Sequence, residues 1–193
     1  MDNKAIAREA IHRHVWSGFP DEDEIFEIIS ESHFWQNEID PGWLRREIAE
    51  GFRLKQAEEA SWPEVSDCDR LDAVFGALHD DGILALHNAG YTQSDGTSDV
   101  AEFYHEDGGE ESGIDGYCFY HGQDLEGVIE TGDLFLTFGD IDGDDARGVE
   151  VGRRIKGEFE SAGFVVEWDG SIKTRLLVKG IKWRRRGRPD NSQ

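Results

Sequence analysis

Residues 82–100 read GILALHNAGYTQSDGTSDV. The run ILALH, residues 83–87, is short and apolar and predicts a buried strand. The stretch behind it is polar and punctuated by glycine, with His87, Asn88, Tyr91, Gln93, Ser94, Asp95 and Asp99 falling within thirteen residues. A buried strand that releases a polar turn and then a helix is the repeating unit of α/β proteins. In open sheets of that class ligands bind beyond the carboxyl ends of the strands.

The unit recurs on both sides. Upstream, SDCDRLDAVFGALHDDG (66–82) predicts a helix with Ser66 as N-cap, a buried stripe of Leu71, Val74, Phe75 and Leu78, and Gly82 as its stop. Downstream, DVAEFYHED (99–107) predicts a helix in which Asp99 and Glu102 stand as N-cap and N3 partner. YCFYH (117–121) and DLFLTFG (133–139) predict two more strands around the short helix DLEGVIETG. DARGVEVGRRIKGEFESAG (145–163) predicts the longest helix, buried through Val149, Ile155 and Phe159. FVVEW and TRLLVKGIKW close the chain as two strands, with Asp169-Gly170 suggesting a hairpin. The second and third strands are joined by only about eleven residues, close to the minimum for a parallel crossover. The expected fold is therefore α/β, or α+β, with a mixed sheet of about five strands and flanking helices.

The first sixty residues lack strand patterns and predict an N-terminal helical layer. Ile6, Ala10, Ile11, His14 and Val15 share one face of NKAIAREAIHRHVWSGF, and Ile25, Ile28 and Ile29 share one face of DEDEIFEIISESHFW. Asp40 caps a third helix with Pro41 at its first position, and Leu44, Ile48 and Phe52 form its stripe. The division expected is a helical region over 1–62, an α/β domain over 63–186 and a polar tail over 187–193.

The 193 residues carry 20 Lys and Arg against 42 Asp and Glu, a net charge of −22. The first 178 hold 14 basic and 41 acidic side chains, a net of −27, since six basic residues crowd the end. A body so charged repels phosphate backbones and anionic lipid, so neither nucleic acid nor membrane is an expected partner; the surplus serves general solubility, adapts the protein to a salty cytoplasm, or attracts a basic partner protein. The segment KWRRRGR either docks on an acidic or nucleic-acid partner or folds back with Trp183 packed and its arginines paired. No run approaches a membrane span, the N-terminus lacks a leader-like apolar stretch, and two cysteines make no disulfide framework. The expected location is the cytoplasm.

No recognisable cofactor motif is present: neither phosphate-loop pattern, nor a nucleophile elbow, occurs. DIDGDDARGVEV places glycine and Val151 where an EF-hand needs other residues, leaving at most a looser cation site. Cys68 is flanked by Asp67 and Asp69 and Cys118 lies in an apolar strand, so neither is an expected nucleophile. If the three strands ran parallel and adjacent, His87, His121 and Asp140 would converge on one edge, as catalytic acid–base groups or ligands of a divalent metal. Asn88, Tyr91, Gln93, Asp95, Asp99, Gln123 and Asp124 would line that edge. The alternative for the same residues is structural, with histidines bonding neighbouring loops and Asp95 and Asp99 satisfying helix N–H groups.

Three segments, HNAGYTQSDGTSDV, YCFYHGQDLEGV and VEWDG…KWRRR, resemble a family of uncharacterised bacterial proteins known as a domain of unknown function, over roughly residues 62–186. The resemblance implies no activity and no catalytic residue. Two functions stand open. One is an acidic interaction module binding a basic partner, expected to present an acidic convex face with exposed aromatics such as Trp35 or Trp43. The other is a small metal-dependent or acid–base hydrolase using His87, His121 and Asp140.

Overall fold

The computed structural model describes residues 3–32 and 39–187. The chain divides into two compact units, one formed by residues up to Ser66 together with the segment from Trp183, the other by Asp67–Lys182. The α/β unit therefore closes at Lys182, and Trp183 belongs with the helices.

The helical unit contains α1 (Asn3–Ser17), α2 (Glu22–Glu31) and α3 (Pro41–Glu59). Ile11, Val15, Ile25, Ile29, Leu44 and Ile48 form its core, with Phe52 packed at the margin. The caps are local chemistry. Asp21 accepts from the Glu24 N–H (2.8 Å) while Glu24 accepts from the Asp21 N–H (2.8 Å), and Asp40 accepts from the Trp43 N–H (2.7 Å). Trp35 lies outside the described residues. Trp43 is half-buried, its ring carrying Lys4 and Arg8 at 5.3 and 5.2 Å.

The basic segment folds back, though not as a strand. Trp183 is buried and its indole N–H donates to the Ser17 carbonyl (3.1 Å). The Arg185 guanidinium lies 4.7 Å over the Phe19 ring, and Arg186 donates to the Pro63 carbonyl (2.6 Å).

The α/β unit runs α4 (Asp67–Asp80), β1 (Ile83–Leu86), α5 (Gln93–Glu106), a 3-10 turn, β2 (Gly116–Phe119), α6 (Gly122–Thr131), β3 (Leu134–Asp140), α7 (Asp145–Ser161), β4 (Val165–Glu167) and β5 (Leu176–Lys179). The strand order is β1-β2-β3-β5-β4, with β1 and β2 parallel and every other pair antiparallel. The mixed sheet expected from the short β2–β3 connection is present.

Alternation along the strands separates two faces. One carries Ile83, Cys118, Leu134, Leu136, Leu176 and Val178, all buried, and packs on the stripes of α4 and α7, where Phe75 meets Phe159 edge-on at 6.2 Å. Burial pushes the Cys118 thiol up, so it stays neutral. On the other face Leu84, Ala89, Val100, Ile114 and Phe119 form a second core under α5. The N-cap of that helix stands seven residues earlier than its apolar pattern suggests. Thr92 is the N-cap and Asp95 its N3 partner, leaving Asp99 inside the helix instead of capping it.

Candidate functional site

Because β1 and β2 are parallel, His87 and His121 both follow carboxyl ends on the same sheet edge. β3 runs the other way. Asp140 pairs in register with Gly116, at the amino end of β2, and so lies at the opposite edge. The two histidines also lie on opposite faces, His87 against Phe75 of α4 and His121 against Asp124 and Arg175. The convergence of His87, His121 and Asp140 expected from parallel strands does not occur. Among the described residues no three His, Cys, Asp or Glu side chains stand together as a metal-ligand set.

Main-chain bonds lace the two polar turns together. The Ala89 N–H donates to Tyr120 O (2.9 Å), Gly122 N–H to Gly90 O (3.0 Å) and Gln123 N–H to Tyr91 O (3.2 Å). Asn88 adopts a left-handed conformation at φ 50°, which its short polar side chain tolerates. Gln123, Gln93, Asp95 and Tyr91 are exposed.

The His87 ring stacks on Phe75 at 4.1 Å, its Nδ1 lies 3.0 Å from the Tyr120 hydroxyl and its Nε2 3.3 Å from Asp72 Oδ1. Carboxylate, imidazole and phenol thus form a chain whose far end is buried in the core, since Tyr120 is fully covered. Its physical effect is to fix the ring and to give a buried hydroxyl a partner. Neither Asp72 nor Tyr120 stands out in the sequence.

His121 is the N-cap of α6. Its Nδ1 accepts from the Asp124 N–H (3.4 Å), the Asp124 carboxylate accepts from the His121 N–H (3.2 Å), and Nε2 lies 3.1 Å from Asp124 Oδ2. The Arg175 guanidinium also donates to Asp124 Oδ2 and to the Phe135 carbonyl (3.1 Å). Burial lowers the His121 pKa and Arg175 lowers it further, against Asp124 and Asp95, which raise it. A cap that accepts through Nδ1 needs the neutral ring.

As pH falls below the ordinary histidine value of about 6.5, the unfolded chain takes up a proton that folded His121 refuses. Stability is therefore expected to be full above that value and to fall on acidification, by at most about 1.4 kcal/mol per pH unit for one such group. His14, lowered by burial and by Arg13, adds to the trend with the same sign. Urea unfolding midpoints between about pH 7 and 5 check this. His121→Asn, which retains a capping oxygen, should flatten part of the decline; an unchanged slope would refute the assignment to His121.

On the same face as His121 lies an open cleft of about 360 Å³ lined by Gln93, Tyr117, Thr137, Asp140, Lys173 and Arg175, with Asp144 and Asp145 at its rim. Two polar atoms beside it are buried without a hydrogen-bond partner, Thr137 Oγ1 and Arg175 Nε. Asp140 is engaged on its own edge. Arg147 Nε donates to it (2.9 Å), as do the N–H groups of Asp142 (3.1 Å) and Asp144 (3.0 Å). Burial alone would raise its carboxyl, but the bonds from Asp144 and Arg147 outweigh that and hold it below the usual carboxylate range. Of the residues expected at the strand ends, Gln93 lines this cleft and Asp124 anchors Arg175 beside it. Sequence reasoning passes over Thr137 and Arg175. Their signals are a hydroxyl inside the apolar strand DLFLTFG and a charge opening TRLLVKG.

Among the described residues no helix is long and apolar enough to cross a membrane. No curated protein and no solved structure matches the chain. One family model does match, and it spans residues 1–187, taking in the N-terminal helices as well as the segments that carried the resemblance. The chain belongs to that family, the domain of unknown function DUF6891.

Proposed function

We propose that the protein is an interaction module that binds a basic partner protein through the outer face of α5. The observation that carries this reading is Phe103, 48% exposed beside the exposed acids Glu102, Glu106 and Asp107. Asp99, Glu102, Phe103 and Glu106 fall at helical spacing, and Asp107, Glu110 and Glu111 follow directly. From Leu71 to Ala146 the chain contains 19 acidic residues and no Lys or Arg, so the basic groups of this stretch near α5 are histidines, His105 within it and His79 at 3.9 Å from Asp107. Tyr91, 55% exposed, adds a second aromatic just before the helix. An aromatic anchor inside a charged rim suits partner recognition: the ring supplies buried area and cation–π contact, and the acids supply steering.

The test uses a panel of purified basic proteins, with acidic proteins as controls, and measures affinity by biolayer interferometry at low salt and at about 0.15 M. One basic partner is expected to remain bound at the higher salt. Phe103→Ala should weaken it about tenfold or more, the loss of an anchoring aromatic. Equal binding of every basic protein, abolished by salt and indifferent to Phe103→Ala, would mean only non-specific attraction.

A further inference from the structure

The cleft between β3 and the segment before β5 carries a second, independent inference. We infer that it binds a small zwitterion with carboxylate and ammonium at opposite ends, such as a short peptide or an ω-amino acid, the carboxylate held by Thr137, Arg175 and Tyr117. Register places Tyr117 and Phe119 of β2 and Thr137 and Gly139 of β3 on one face, with Arg175 in line beside Thr137. The donors thus stand side by side on the cleft floor.

Thr137 is 6% exposed and its hydroxyl has no partner, an arrangement that costs stability unless something fills it. The Arg175 Nε–H is in the same condition, while the neighbouring Nη2 is fixed by Asp124 and by the Phe135 carbonyl. A guanidinium fixed through Nη2 and unpartnered at Nε keeps one oriented, charged donor for an oxyanion. Tyr117 lies over Gly139 so closely that a Cβ there would stand 2.7 Å from the phenol oxygen. Burial raises the Tyr117 pKa, so the phenol remains a donor.

The charges around the cleft select the ligand. Arg175 is paired with Asp124 and Arg147 with Asp140, which leaves Lys173 as the remaining cation of the lining. Asp144 and Asp145 also line the cleft, and both are exposed. A dianion such as phosphate would enter a negative field. A dipolar ligand meets donors at Thr137 and, past the end of β3 at Asp140, itself three strand residues or roughly 10 Å from Thr137, the carboxylates of Asp144 and Asp145. The cleft volume of about 360 Å³ lies in the range that holds small molecules.

The test is titration calorimetry on the whole protein with glycylglycine, triglycine, 6-aminohexanoate and lysine, their N-acetyl and methyl-ester derivatives, and inorganic phosphate. At least one dipolar probe is expected to bind saturably, and capping either of its ends should weaken it about tenfold or more. Thr137→Val should weaken binding to the same degree while leaving the unliganded melting temperature unchanged or higher, because the hydroxyl removed is unpartnered. Tyr117→Phe, which keeps the ring, serves as a second variant. Failure of every dipolar probe, equal binding by Thr137→Val and Tyr117→Phe, or phosphate binding as tightly as the dipolar probes would each overturn the inference. None of these outcomes bears on the α5 face, which Phe103→Ala tests separately.

Discussion

Asp124→Ala is expected to remove about 3 kcal/mol of unfolding free energy, the lower end of what breaking a buried ion pair costs. The carboxylate is nearly covered and serves three groups at once: the Arg175 guanidinium, the His121 ring and the His121 main-chain N–H. Removing it leaves Arg175, already short of a partner at Nε, with a second unsatisfied donor. It also unfastens the first turn of α6. The Arg175 side chain is 27% exposed, so water relieves part of the loss, which is why the lower figure is expected. Arg175→Ala should cost less, because Asp124 keeps His121. The double variant should cost less than the two losses added together, since the unpaired charge is then gone. Urea unfolding of the three variants decides the matter. A loss below about 0.5 kcal/mol for Asp124→Ala would show that solvent replaces the carboxylate without penalty.

Gly96→Ala and Gly76→Ala are expected to move stability in opposite directions. Both glycines sit inside helices, α5 and α4, where alanine is favoured by about 1 kcal/mol. Around Gly76 a Cβ would meet nothing within 4 Å, so that gain should be realised. At Gly96 it would stand 2.4 Å from the Phe119 ring and 2.8 Å from the Ala89 carbonyl oxygen. Phe119 is fully buried between β2 and α5 and cannot swing aside, so α5 must lift from the sheet. Overpacking of this kind costs about 1–3 kcal/mol and exceeds the propensity gain. The expected result is a net loss of about 2 kcal/mol at Gly96 against a gain of up to about 1 kcal/mol at Gly76. Thermal and urea unfolding of the two variants measure both. A gain at both positions would mean that α5 rests on the sheet loosely enough to shift.

The contrast between these glycines separates what neighbouring residues determine from what distant ones do. The stripe of Leu71, Val74, Phe75 and Leu78, the strand ILALH and the Asp40-Pro41 helix start are written in adjacent residues, and local spacing suffices for them. The first turn of α5 is not. After Gln93, Ser94-Asp95-Gly96-Thr97-Ser98 is made of weak helix formers and reads as turn. It becomes helix because Thr92 and Asp95 cap it and because Gly96 lets it settle on Phe119. The reversal of β3 is hinted at only by the length of its connection to β2, since nothing in DLFLTFG itself gives its direction. Asp140 would stand beside His121 only with β3 parallel; with β3 reversed it stands at the other edge. The cleft residues Thr137 and Arg175 come from segments adjacent in space but separated by the whole of α7, and each looks ordinary alone.

The packing of Trp183 on α1 sets the order in which the molecule can be completed during synthesis. The ribosome delivers the helices first, then the whole of Asp67–Lys182, and only then the indole that donates to Ser17. Domains generally fold as they emerge, the N-terminal one ahead. Here the later unit can finish before the earlier one, because its own ends meet: the Lys182 N–H donates to Asp67 Oδ2 at 2.9 Å. The nascent helical layer waits, its Trp183 seat unfilled, until that stretch of chain arrives.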